Sequence, residues 1–152
     1  MEEQLINIYL ATNVDCYGPY KGKGGYAAIM VWKGHAKVFT GTIDNGSDYR
    51  ALEQATLLSL QSIKKDKMNI IIHVRNQPFV QGFSNKIRTI PRDTFFNDLD
   101  IYSSSLKAMQ RQATVGLHWL PDEENEYFKL AKQAAAEAKK NTIYTKPIAA
   151  VA

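Results

Sequence analysis

Four carboxylates, Asp122, Glu123, Glu124 and Glu126, crowd into five positions, and Asp15, Glu53 and Asp100 add further acids near expected strand and helix ends. Acids gathered in this way can bind Mg²⁺ through oxygen, so metal-assisted hydrolysis is one chemistry the residue types allow. His35, His73 and His118 fall on or beside three different expected strands without ligand spacing, and are read as hydrogen-bonded sheet histidines rather than a metal set. Cys16 has no identifiable base partner and is not read as a nucleophile. As the single cysteine of 152 residues it also rules out an intrachain disulfide or a thiolate zinc cluster, and points to a reducing compartment. Gly22-Lys23-Gly24-Gly25 lacks the spacing of a phosphate-cradling loop and precedes a strand, so it is read as a turn. Trp32, Trp119, Tyr9 and Tyr26 could stack on bases, but aromatic residues in strands usually pack.

The elements that must position these groups follow from periodicity. Leu5–Ala11, Tyr26–Trp32 and His35–Ile43 alternate as strands, the last two joined at Lys33-Gly34 into a hairpin, giving a three-strand meander. Ser47 or Asp48 caps a helix over 49–63, whose apolar residues Ala51, Leu52, Ala55, Leu58 and Leu60 recur at helical spacing. MNIIIHV, residues 68–74, reads as a central strand buried on both faces. A short helix over 76–83, a basic connector over 84–92, a helix from Asp93 or Thr94 to about Gln110, a strand over 114–120 and a helix over 122–140 complete the chain. In the second of these helices Phe95, Phe96, Leu99, Ile101, Tyr102 and Leu106 are apolar on more than one face, as in a central helix or a dimer interface. The expected architecture is α/β: a five-stranded mixed sheet, antiparallel in its first half and parallel in its second, flanked by helices. It forms one domain over residues 1–140, followed by a tail over 141–152.

Nineteen Lys and Arg against 15 Asp and Glu give a net charge of +4, which permits a polyanionic partner without demanding one. The lysines at 64, 65, 67, 129, 132, 139, 140 and 146 are read first as solvated faces and a basic tail. No apolar run approaches the roughly 18 residues of a membrane span, and the opening MEEQLINIYL does not read as a leader. The expectation is a cytoplasmic chain with no membrane partner.

Ile8-Tyr9 on the first strand, Gly24-Gly25-Tyr26-Ala27-Ala28-Ile29 on the second, Tyr49-Arg50-Ala51 opening the first helix, and Asn125-Glu126 leading into Leu130-Ala131 resemble the type I ribonuclease H family. The likeness runs from about residue 5 to 140 and takes in Gln77–Gly82 and Trp119. It implies a ribonuclease H-like fold and, in active members, two-metal hydrolysis of the RNA strand of an RNA–DNA hybrid by carboxylates converging from four elements. Here those four positions fall at Ala11, Leu52, Arg75 and Lys129. Glu53 stands one residue past its expected place, a rotation of about 100° around the helix. A cation about 4 Å from a metal charge costs on the order of 4 kcal/mol at an effective dielectric near 20, so Arg75 and Lys129 should exclude the ions.

The leading reading is therefore a catalytically inactive ribonuclease H-like domain with no metal and no cofactor. It would bind nucleic acid, as RNA–DNA hybrid or duplex, through Lys21, Lys23, Arg50, Arg75, Asn76 and Lys129 at and around the former metal site. Two alternatives stay open. In one, Arg75 pairs internally with Glu53 or the acidic knot, and the chain is a protein-interaction or scaffold module, possible as a homodimer. In the other, an Mg²⁺-dependent ribonuclease H-type endonuclease uses relocated acids, Asp15 and Glu53. Of the basic handle found in some bacterial members, only Lys86, Arg88 and Arg92 correspond here.

Overall fold

The computed structural model describes residues 4–15, 22–89 and 99–141, without the side chains of 45, 86–89, 99–103 and 141. Nine elements follow one another: β1 (Leu5–Val14), β2 (Gly22–Trp32), β3 (His35–Gly46), α1 (Asp48–Ser62), β4 (Asn69–Val74), α2 (Gln77–Thr89), α3 (Leu99–Gln110), β5 (Thr114–Trp119) and α4 (Glu126–Asn141). The sheet order is β3-β2-β1-β4-β5. β1, β2 and β3 pair antiparallel, while β4 joins β1 and β5 joins β4 in parallel, as helical crossovers require. Cys16, Lys21, Arg92, Phe95, Phe96 and the tail beyond Asn141 lie outside the described residues.

Alternation sorts the side chains by face. Ile6, Ile8 and Leu10 of β1 and Ile70, Ile72 and Val74 of β4 point to one side and form the main core with Leu52, Leu60, Phe79 and Phe83. The opposite face carries Ala11 and Ile29, which pack with Leu120, Phe128 and Ala131. α4 lies over β1, β2 and β3. It leaves β4 and β5 uncovered on that side, so β4 is not buried on both faces as its apolar run suggested. Ile71 and His73 are only half-buried. Gly25 permits the close seat of α4: a Cβ there would overlap the Ala135 carbonyl and the Lys139 amide.

Several boundaries differ from the sequence expectation for local reasons. The first three strands run longer because Val14 pairs with Gly24 and Gly22 with Gly46, across a bulge between Gly22 and Gly24. Lys33 and Gly34, with φ of 52° and 76°, make the tight turn expected of them. Ser47, not Asp48, caps α1: its Oγ accepts from the Arg50 amide at 3.2 Å. α2 extends through the expected basic connector to Thr89, since nothing between Ser84 and Thr89 breaks a helix. α4 starts at Glu126 rather than Asp122. Asn125 Oδ1 caps it by accepting from the Phe128 amide at 3.0 Å, while Asp122 Oδ1 closes a turn on the Glu124 amide at 2.9 Å. Among the described residues no helix is long and apolar enough to cross a membrane.

Candidate nucleic-acid interface

The C-terminal ends of β1 and β4 and the N-terminal turns of α1, α2 and α4 meet around a cleft of about 230 Å³. Its lining is Leu10, Ala11, Thr12, Asp48, Leu52, Val74, Arg75, Asn76, Phe128 and Lys132. Three of the four positions named from sequence, Ala11, Leu52 and Arg75, thus converge here. Ala11 and Leu52 are both buried and give the floor an apolar character. Asn76 has a structural task as well, because its Oδ1 accepts from the Phe79 amide at 3.0 Å and caps α2. The positive end of that helix therefore abuts the cleft.

Arg75 is held by backbone rather than by acid. Its Nη1 donates to the carbonyls of Leu120 at 3.0 Å and Pro121 at 2.6 Å, tying the end of β4 to the segment leading into α4. An internal ion pair with Glu53 or the acidic knot is not formed. The two hydrogens of Nη1 account for these bonds, and the Nε and Nη2 hydrogens have no acceptor among the described residues. The guanidinium also lies 5.9 Å from the centre of the Phe128 ring, and the Lys132 ammonium lies 5.7 Å from the same ring. Phe128 thus carries two cations in the cleft.

Lys129 is not part of this arrangement. It is exposed and pairs with Glu124 at 2.6 Å, a hydrogen bond and charge that hold its ammonium above the ordinary lysine range. The helix starts four residues later than expected and presents Phe128 and, one turn on, Lys132 to the cleft. Arg50 is also engaged elsewhere, on Glu53 at 3.5 Å. Glu53 is 2% exposed, not a surface residue: the rotation of one helical position takes it off the cleft and into the interior. Lys23 is exposed on β2, and its carbonyl accepts from the Asp15 amide at 2.9 Å. Asp15 meets Lys139 at 2.5 Å. Neither fallback ligand, Asp15 or Glu53, lines the cleft, and among the described residues no three His, Cys, Asp or Glu side chains gather closely enough to share an ion.

Sequence reasoning missed Asp48, Phe128, Lys132 and Thr12. The signal existed for two of them, because Asp48 precedes Leu52 by four and Lys132 follows Phe128 by four, one turn along the same helix face. Asp48 is the single carboxylate of the lining, and its Oδ1 accepts from Thr12 Oγ1 at 2.9 Å.

No protein-family model and no curated protein matches the sequence. The folded chain, however, is similar to solved ribonucleases H. A type 1 enzyme with a type 2 active-site motif, LC9-RNase H1, matches at a TM-score of 0.67 and 10% identity, covering 91% of this chain and 73% of that one. The N-terminal RNase H domain of Rv2228c from Mycobacterium tuberculosis gives 0.67 at 14% identity, with 92% and 98% covered. RNase H1 from Halobacterium salinarum gives 0.65 at 17% identity, with 90% and 98% covered. The chain has the RNase H fold.

The two Mg²⁺ ions that the resemblance implies do not fit the residues present. Two divalent ions need several converging carboxylates, whereas the cleft offers Asp48 beside two cations, Arg75 and Lys132.

Proposed function

We propose that this RNase H-fold domain binds nucleic acid, as an RNA–DNA hybrid or duplex, without hydrolysing it. The observation that carries the reading is the inverted charge of the cleft: Arg75 and Lys132 flank Phe128 where the fold's relatives would gather acids. Three guanidinium hydrogens of Arg75 remain for a phosphate, and the N-terminus of α2 and the Asn76 side chain stand beside it. Contacts of this kind position a backbone and carry no base identity. Lys23, exposed at the start of β2, would add a further backbone contact, while Lys129 and Arg50 are spoken for by Glu124 and Glu53.

Fluorescence anisotropy of a labelled RNA–DNA hybrid at two salt concentrations with Mg²⁺ present, followed by a denaturing gel, tests this. Binding should weaken with salt, the strands should stay intact, and Lys132→Glu, an exposed change, should reduce the log–log salt slope by about 1. Cleaved RNA would overturn the non-hydrolytic reading and favour relocated acids. Absence of binding at low salt would overturn nucleic-acid recognition and favour a protein-interaction module.

A further inference from the structure

The face of β4 and β5 that α4 leaves uncovered holds a second group of chemistry-bearing side chains, remote in character from the cleft. β4 and β5 pair in parallel with His73 directly beside His118. Forty-five positions apart in sequence, the two rings meet with Nδ1 facing Nδ1 at 3.1 Å. On its other side, His73 Nε2 lies 2.9 Å from Asn7 Oδ1 of β1. The carbonyl oxygen accepts, so Nε2 carries the proton and Nδ1 presents a lone pair toward His118. The ring is held further by stacking on Tyr9, with centres 4.5 Å apart and planes 14° from parallel.

We infer that His73 and His118 form a two-imidazole site for a borderline divalent transition ion such as Zn²⁺, Ni²⁺ or Cu²⁺. Around an ion with bonds of about 2.0–2.1 Å, adjacent nitrogen ligands sit about 2.9 Å apart at a right angle and about 3.4 Å apart in a tetrahedron. The observed 3.1 Å lies between the two. A ligating histidine ordinarily donates its other N–H to a fixed acceptor, the role Asn7 already fills for His73. His118 is exposed, and without the ion its Nδ1–H donates to His73. On binding, that proton moves to the water-facing Nε2 of the same ring, so both rings stay neutral and no net proton is released. Gly116, two residues earlier on the same face, leaves space in which a Cβ would meet nothing within 4 Å. Water or an outside ligand completes the coordination there. Nitrogen donors select these ions over Mg²⁺, the opposite preference to that of an RNase H centre.

Isothermal titration of the full chain near pH 7.5 with NiCl₂, ZnCl₂ and MgCl₂ tests the site, independently of any nucleic-acid binding. One Ni²⁺ or Zn²⁺ per chain and no Mg²⁺ uptake is expected. His118→Ala, or His118→Gln should the first variant fold poorly, should weaken uptake at least tenfold. Asn7→Ala should weaken it by about tenfold by releasing the tautomer of His73. His35→Ala should leave it unchanged. Nitrogen-15 NMR should show both Nδ1 resonances moving on Zn²⁺ addition. Absence of stoichiometric uptake, uptake unchanged in His118→Ala, or coordination through Nε2 alone would each overturn the inference.

Discussion

Replacing Arg75 by alanine probes the strut that closes the cleft. The change deletes two charged hydrogen bonds to backbone carbonyls, one to the buried Leu120 and one to the exposed Pro121, together with the contact over Phe128. A hydrogen bond involving a charged group contributes about 1.5–3 kcal/mol, and the part-buried bond to Leu120 should sit at the lower end of that range. The bond at Pro121, open to water, and the long cation–ring contact at 5.9 Å add about 0.5 kcal/mol each. The sum is about 2.5 kcal/mol, or a melting temperature lower by roughly 5–10 °C for a chain of this size. Thermal and urea unfolding followed by circular dichroism would measure it. Arg75→Lys should recover less than half of the loss, because an ammonium on a flexible stem does not reproduce the planar, fixed pair of N–H groups on Nη1. Hydrogen exchange at Leu120, whose amide donates to the Val74 carbonyl at 2.8 Å, should quicken in Arg75→Ala. A stability change below about 0.5 kcal/mol, the ordinary range for surface substitutions, would refute the strut.

Further outcomes follow from other parts of the fold. Gly25→Ala should destabilise by about 1–3 kcal/mol, measured by urea unfolding, because the new methyl group has to displace the backbone of α4. Lys129→Ala should change both stability and hybrid affinity little, within about 0.5 kcal/mol of wild type, since its partner Glu124 is also exposed; anisotropy beside Lys132→Ala makes the comparison. Burial first, and then the neighbouring His118, lowers the pKa of His73 from 6.5 to about 4. The neutral ring, enclosed by Tyr9, Asn7 and His118, is thus favoured in the folded state. Stability should be full above pH 6.5 and fall as the pH drops from 6.5 toward 4, because the unfolded chain takes up the proton first. At 1.36 kcal/mol per pH unit that interval amounts to about 3.4 kcal/mol, and the water around a half-exposed ring reduces it to roughly half. Urea titrations in EDTA should show this fall in wild type and a shallower one in His73→Gln.

Strand and helix order, the parallel and antiparallel halves of the sheet, and the motif positions at Ala11, Leu52 and Arg75 that meet in the cleft were legible in the residues. Each depends on local alternation, on helical spacing or on residue type at a motif position, and none requires knowledge of a distant contact. The expected position at Lys129 failed for a local reason that only the folded turn decides: Asn125 outcompetes Asp122 as the cap and sets which face α4 presents. The burial of Glu53 likewise follows only from the packing of the helix, which makes its side of α1 interior. Sequence determined that this chain folds as a mixed five-stranded sheet flanked by helices. The tertiary structure alone decided that Arg75 is held by the Leu120 and Pro121 carbonyls, that Lys132 joins it over Phe128, and that two histidines 45 positions apart share one edge of the sheet. Those contacts arise from strand register and helix docking, which join residues whose separation along the chain carries no signal of their meeting.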